Sequence, residues 1–559
     1  METLPETQHA VQLVGPDELV LNHAKPVLAP TGRQMLCKLE ATGLCFSDLK
    51  LLKLFSGHAR KGPVVGEGAA LLAGNPAYVP GDLPTVPGHE AVLRIVAVGE
   101  DVRRHRVGER CLVQTDYRHL PTAHSNAAFG YNLEGGLQEY VLIDERVSTD
   151  PDTGERFLIP VSDARSASAI ALVEPWACVE SSYLSPERTA IKPGGALLVA
   201  ADPGREIKGV RASMRAGAPA AVTAACPDAD QWEAVHALGV SAVRAADLAG
   251  LEEQAFDDIV YFGSDKAAIE RLGQLLADHG IINIVTGGHA IGSAPAIDVG
   301  RIHYGKTRWV GTTGSDAAGG YAMIPPDGDV RDGDRMFVMG AGGPMGQMHV
   351  IRNLCGDAAA IAITASDLDR ARLDRLRQLA APSLAAGDAT LSCVVPGEDD
   401  PGTGFTYVIV MAPLPQLVAE AVARAGENAR INIFAGIPAG AMAPLDLDAV
   451  ITRRCFLFGT SGSVIRDMNV VLEKVESGRL DTNASVAAIA GMEGAVAGIR
   501  AVEERSIDGK IMVYPQLSDL GLVPLTELEA TRPEVAARLE HGRWTRAAED
   551  ALLGKDAPA

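Results

Sequence analysis

Residues 85–115, TVPGHEAVLRIVAVGEDVRRHRVGERCLVQT, alternate apolar and polar positions over AVLRIVAVGE and again around RCLVQ, with glycine-containing turns between them. A period of two turns one face of a strand inward and the other outward, so this stretch predicts strands of a twisted, mostly antiparallel unit. The pattern then changes. From Gly194 to about Ser315, short unbroken apolar runs (ALLVAA, AAVTAA, DIVYFG, INIVTGG) are separated by helical stretches such as DQWEAVHALG and KAAIERLGQLLADHG. From Gly333 to Ser463 the same alternation returns, with MFVMGAG, AIAITAS, YVIVMAP and INIFAGI separated by RARLDRLRQLA and PQLVAEAVARAGENA. Strand and helix in alternation predict a parallel, doubly wound sheet in each stretch. The stretches also match each other: Ile282-Asn283-Ile284 corresponds to Ile431-Asn432-Ile433 at an offset of 149, and Gly311–Ser315 to Gly459–Ser463 at an offset of 148. A tandem duplication is the simplest account. Beyond them, PEVAARLEHGRWTRAAEDALLG predicts an appended amphipathic helix without a chemical motif.

Size and composition narrow this picture. A chain of 559 residues exceeds a single core and divides into roughly three or four domains of about 150 residues each. Hydrophobic residues at 47% and charged residues at 22% fit an ordinary globular α/β protein and exclude a disordered or fibrous one. A formal charge of -21 with no long basic stripe argues against nucleic acid as a partner, because phosphates would be repelled. The opening METLPETQHAVQLVGPDELV lacks the basic and apolar regions of a secretory signal, and no long uncharged apolar run could span a bilayer, so a cytoplasmic protein without a membrane partner is expected. The eight cysteines form no CxxC pair, so neither a disulfide framework nor a four-thiolate zinc knot is indicated.

Chemistry gathers in four segments: GLCFSDLK, PGHEAVL, EGGLQEYVLID and ALVEPWACVESSY. In order and spelling they resemble the zinc-containing medium-chain dehydrogenase/reductase family, whose catalytic domain carries a Cys-x-Ser/Thr-Asp motif, a Gly-His-Glu motif, a Gly-Gly-x-x-Glu-Tyr strand and, in its polyol and threonine branches, a Glu-Pro or Asp-Pro motif. A catalytic zinc needs three or four N, S or O ligands with one position open, and Cys45, His89, Glu90 and Glu174 offer such a set. The resemblance implies that Cys45 and His89 bind zinc directly, while Glu90 and Glu174 share the remaining positions, as direct ligands or through water. It also implies that Ser47 relays the substrate proton and that Asp48 orients a zinc ligand.

Two departures stand out. His89 follows Cys45 by 44 positions, a longer gap than the family usually has, and the excess is the Gly/Pro-rich SGHARKGPVVGEGAALLAGNPAYVPGD. Such a loop is expected to shape the substrate pocket. Its His58, Arg60 and Lys61 are read either as a solvated basic run or as contacts for a polyhydroxy or anionic substrate. The cysteine-rich lobe that binds a structural zinc in many relatives is replaced by DYRHLPTAHSNAAFGYNLEGG, so one catalytic zinc and no structural zinc are expected.

Binding a dinucleotide requires a turn without obstructing side chains, a helix N-terminus aimed at the pyrophosphate, and an acid for the ribose. The second copy meets these needs with Gly340, Gly342, Gly343, Met345 and Gly346, followed 21 residues later by Asp367; Met411, ending the run YVIVM, completes the expected contacts. The acid favours NAD over NADP. In the first copy Ala201, Gly204 and Ile207 align with Gly340, Gly343 and Gly346, Asp202 adds negative charge, and the second strand ends at Cys226 with no ribose acid. It is read as a pseudo-domain serving packing, assembly or substrate closure.

The expected fold is therefore α/β: a GroES-like, mainly antiparallel catalytic domain from residues 1–190 and 464–516, a degenerate Rossmann-like domain over 191–320, an NAD-binding Rossmann domain over 331–463, and a C-terminal helical extension over 517–559. The expected activity is zinc-dependent hydride transfer between NAD and a secondary alcohol, with a polyol, sugar or sugar phosphate as first choice, by a homo-oligomer, dimer or tetramer. An amino-alcohol or hydroxy-acid dehydrogenase on the same site, or an inactive nucleotide-binding or assembly protein, are the alternatives.

Overall fold

The computed structural model describes residues 4–555 and divides into two compact units, one made of residues 1–178 with 463–559 and the other of residues 179–462. The first boundary falls within the helix Val173–Leu184.

In the first unit, an eight-stranded sheet runs in the order Val523–Pro524, Val486–Ala490, Lys510–Val513, Gln34–Gly43, Glu90–Val98, Arg110–Val113 and Leu158–Pro160, with Tyr140–Asp144 added beside Gln34–Gly43. All its pairings are antiparallel except that of Val486–Ala490 with Lys510–Val513. The register sets Glu90 opposite Gly43, and Gly43 opposite Met512. Chain segments more than 400 positions apart thus meet at one end of the sheet, where the candidate site lies.

The long loop is not a solvated run. Lys61 is fully buried and donates to the carbonyls of Val79 and Leu83, tying the two ends of the loop together. Asn132 Nδ2 donates to Gly62 O at 3.0 Å, and Thr122 Oγ1 to Ala59 O at 3.0 Å. The loop is therefore stitched to the segment that replaces the metal-binding lobe.

The second unit holds two six-stranded parallel sheets. One runs Ala242–Arg244, Ala221–Ala225, Ala196–Ala201, Phe256–Phe262, Leu276–Val285, Arg308–Thr312, and the other Thr390–Val394, Ala362–Ser366, Arg335–Met339, Phe405–Val410, Ala425–Ile433, Phe456–Phe458. Numbered by position in its own copy, each reads 3-2-1-4-5-6, the dinucleotide-fold order. The central strands are buried on both faces and accordingly almost wholly apolar.

The C-terminal tail differs from the single helix its periodicity predicts. It folds as Leu528–Thr531, Pro533–Ala536 and Arg546–Leu552, broken by a turn at His541 and Gly542, both with positive φ. Tertiary contacts decide its path: Trp544 is fully buried, and the buried Glu549 accepts hydrogen bonds from Ala167 N and Ser168 N, at the start of the helix Ala167–Ala171.

Candidate active site

Cys45 is the N-cap of the helix Phe46–Leu54, with its backbone N–H donating to Asp48 Oδ2 at 3.1 Å. Its sulfur therefore sits at a helix N-terminus, where the dipole favours negative charge. His89 and Glu90 arrive on the strand across the sheet. One ligand atom from each of Cys45, His89 and Glu90 lies within 4.8 Å of the others. Glu174, in the first turn of Val173–Leu184, lies outside that trio. It is nevertheless close enough to feel His89, Glu90 and Lys510, and burial, against the pull of His89, pushes its carboxyl up to about 7.

The neighbours of the trio fix its orientation. His89 Nδ1 meets Asp48 Oδ1 at 2.9 Å, a carboxylate–imidazole pair that leaves Nε2 to face Cys45. Burial pulls the imidazole down, but the charges of Asp48, Tyr131 and Cys45 outweigh it and raise its affinity for a proton above the ordinary value. Ser47 Oγ lies 3.1 Å from Cys45 Sγ and 3.2 Å from His89 Nε2, between two potential ligand atoms, and is also bonded to the Tyr131 hydroxyl.

Glu90 is fully buried, and Lys510 Nζ donates to its Oε1 at 2.5 Å. Burial opposes the lysine's charge, yet Glu90, Cys45 and Glu174 overcome it and its pKa ends above the usual lysine value. The other oxygen, Glu90 Oε2, is buried without a hydrogen-bond partner among the described residues. It stands over Gly43, where an added Cβ would lie 2.2 Å from it, so only glycine leaves room for this carboxylate. An S, N and O donor set with one carboxylate oxygen unsatisfied fits a zinc ion.

Sequence reasoning missed Lys510, Tyr131 and Asp116. A lone lysine in the otherwise apolar strand KIMV was the available signal for the first. Tyr131 packs its ring 5.8 Å from His89 and 5.1 Å from His58, with Arg60 5.4 Å away. Arg60 makes a two-point pair with Asp116, at 2.9 and 3.2 Å. Burial, together with Arg60 and Lys50, drives His58 down to about 4, so it is neutral near pH 7. A second cluster of ligand types, His105, Glu109 and Cys111, already has its cation: Arg156 lies 2.8 Å from Glu109 Oε1 and 3.0 Å from His105 Nδ1.

In the second unit, the two nucleotide turns differ in kind. Gly343 caps the eleven-residue helix Pro344–Leu354, and the space where its Cβ would project is open. Gly346, in the first turn of that helix, packs against the loop, where a Cβ would come within 2.5 Å of Gly340 O and 2.7 Å of Ala341 Cα. Asp367 directly follows the strand Ala362–Ser366 and accepts from Gly342 N at 3.0 Å. Met345 lies in the first turn of the helix, and Met411 N bonds to Met339 O at 2.9 Å at the end of the adjoining strand. In the first copy the helix after the turn shrinks to Val210–Ser213. Its turn is filled from within: Asp202 accepts from the Tyr261 hydroxyl and from Ser264 N, and Arg205 donates to Thr286 O at 3.0 Å. The sequence reading found no acid after its second strand, but Asp228 stands there, held by a 2.6 Å bond from Gly204 N. It lies two residues beyond Cys226 and was hidden by that shift.

Residues 31–150 match the family described as alcohol dehydrogenase GroES-like domain. Among curated proteins, the chain is 27% identical over 283 residues to the uncharacterized protein YggP of Escherichia coli (strain K12), covering 44% of this chain and 64% of that protein. It is 24% identical over 312 residues to mannitol-1-phosphate 5-dehydrogenase of Aliivibrio fischeri, covering 50% and 68%. The chain thus spans less than two thirds of the first of these relatives and about two thirds of the second. Its fold is similar to that of 2R,3R-butanediol dehydrogenase from Bacillus subtilis, with a TM-score of 0.53 and 16% identity over 91% of this chain and 100% of that one. With its antiparallel sheet and its parallel dinucleotide-type sheets, the chain has the fold of an alcohol dehydrogenase and is similar to the medium-chain dehydrogenase/reductase family.

Proposed function

We propose that this chain is a zinc- and NAD-dependent dehydrogenase that oxidises a secondary alcohol of the polyol, sugar or sugar-phosphate class, or reduces the corresponding ketone. One observation carries the reading: Cys45, His89 and Glu90 converge within 4.8 Å around a buried, unsatisfied carboxylate oxygen, with the Ser47 hydroxyl between sulfur and imidazole.

Zinc would polarise the substrate hydroxyl and NAD would take up the hydride. Cys45, His89 and Glu90 would hold the metal, with Glu174 close enough to exchange with one of them. Asp48 keeps His89 in the tautomer that offers Nε2. Lys510 holds one oxygen of Glu90 and leaves the other for the metal. Ser47 would relay the proton released by the substrate hydroxyl, accepting it while handing its own to the Tyr131 hydroxyl bonded to it, so that the proton moves on toward solvent. In the second unit Gly340, Gly342, Gly343 and Gly346 leave the turn clear for pyrophosphate, and Asp367 meets the ribose hydroxyls and repels the extra phosphate of NADP. The substrate class is supported by the sugar-phosphate relative and by Arg60 and Asp116, a donor and acceptor pair suited to hydroxyl groups. Among the described residues no helix is long and apolar enough to cross a membrane.

Metal analysis and calorimetric titration with NAD test this assignment. It predicts one zinc and one NAD per chain, with zinc lost in Cys45→Ala and NAD lost in Gly346→Val. A metal-free chain that nevertheless oxidises its substrate would refute it.

A further inference from the structure

The two copies in the second unit meet across a pseudo-twofold axis. Strand Ala296–Asp298 of the first pairs antiparallel with Met442–Pro444 of the second, Ala296 opposite Pro444. The offset of 148 that relates Gly311–Ser315 to Gly459–Ser463 also relates Ala296 to Pro444. The residue facing Ala296 is therefore its own counterpart, as happens only where a twofold axis passes between two strands.

Other contacts recur across the junction. Gly440 N donates to Asp298 Oδ2 at 2.8 Å, and its counterpart Gly292 N, 148 positions earlier, donates to Asp448 Oδ2 at 2.8 Å, two positions past Asp446, the counterpart of Asp298. At Gly459 an added Cβ would lie 2.9 Å from His303 Cα; at its counterpart Gly311, one would lie 2.8 Å from the side chain of Ile451, the counterpart of His303. Contacts in which residue i meets j while the counterpart of j meets the counterpart of i define an isologous, self-complementary interface. This one is apolar and continuous with both cores: a single buried cluster includes Ile259, Ile284, Ile297 and Trp309 of the first copy with Val408, Ile431, Ile451 and Leu457 of the second.

We propose that the first copy serves as a built-in partner for the second, occupying the self-complementary face that a single copy would present to another chain. This explains why a domain whose cofactor turn is filled by Asp202, Tyr261 and Arg205 keeps its complete sheet: the retained surface is the functional part. Self-association through this face is thereby satisfied within one chain, and any homo-oligomer must use other surfaces.

Paired cysteines test the arrangement in the full chain. Directly opposed strand residues lie within disulfide reach, so Ala296→Cys with Pro444→Cys should form a link that leaves the chain at single-chain mass on a non-reducing gel. A covalent dimer, or no link at all under oxidation, would overturn the proposal. Ile451→Asp then opens the junction by burying an unpaired charge. In sedimentation velocity it should add a concentration-dependent association step that the wild type lacks; a folded variant sedimenting as the wild type does would also overturn it. Should that variant fail to fold, the cysteine pair decides alone.

Discussion

Asp48 touches no substrate in this account, yet the site depends on it. Its carboxylate meets His89 Nδ1 and caps the backbone of Cys45, so one side chain orients two potential ligands. Asp48→Asn keeps the shape but removes the charge that selects the tautomer, and zinc affinity should fall by about 10- to 100-fold; competition with a chromogenic chelator measures this, and an unchanged affinity would remove Asp48 from the account. Lys510 has the complementary role. Lys510→Met leaves Glu90 buried without its cation and should destabilise the metal-free first unit by about 3–5 kcal/mol, with part recovered on adding Glu90→Gln. Urea denaturation of the three proteins reads both effects. Cys45, Ser47, Asp48, His89 and Glu90 stand out as candidates in the sequence because the first three fall within four positions and the last two are adjacent, in a spelling that chemistry constrains. Lys510, Tyr131 and Asp116 do not, because only the sheet brings them to the same place.

At the scale of elements, the tail is fixed by capping. Glu549 accepts from Ala167 N, Ser168 N, Ser168 Oγ and the Tyr514 hydroxyl, satisfying amide groups that a helix start leaves without partners. Glu549→Ala should cost about 3 kcal/mol through these orphaned donors; a loss below about 1 kcal/mol would show that the tail docks by Trp544 alone. Periodicity predicted one helix here because it registers which residues are apolar, not that Trp544 and Glu549 must reach separate partners on either side of a turn. In the second unit, the helix Pro344–Leu354 carries the buried His349, whose Nδ1 lies 2.6 Å from the Tyr183 hydroxyl. Burial and the nearby Arg352, against Glu180, pull it down to about 3. Unfolded, it takes a proton below about 6.5, so between pH 6.5 and 3 the unfolded chain binds more protons. This contribution is complete above about pH 6.5 and declines with acidification. His349→Gln should flatten that part of the pH dependence of the urea midpoint, and an identical slope would contradict the assignment.

Across the whole molecule, the duplication was legible from sequence because the alternation of strand and helix and the repeated Ile-Asn-Ile and Gly-Thr-x-Gly-Ser segments survive in both copies. The reciprocal packing was not, since each copy's sequence describes its own sheet and leaves unstated which edge another sheet will cover. Nor could spacing reveal that Asp202, Tyr261 and Arg205 close the first turn from within. These observations favour one candidate metal site per chain, in the first unit, and one open nucleotide turn, that of the second copy. The most direct test is the rate of NADH formation at 340 nm by zinc-loaded protein supplied with NAD and a panel of polyols and sugar-alcohol phosphates. The account predicts turnover of at least one of these alcohols, reduced about a thousandfold or more in Cys45→Ala while NAD binding persists; no turnover of any secondary alcohol, or equal turnover by Cys45→Ala, would contradict it.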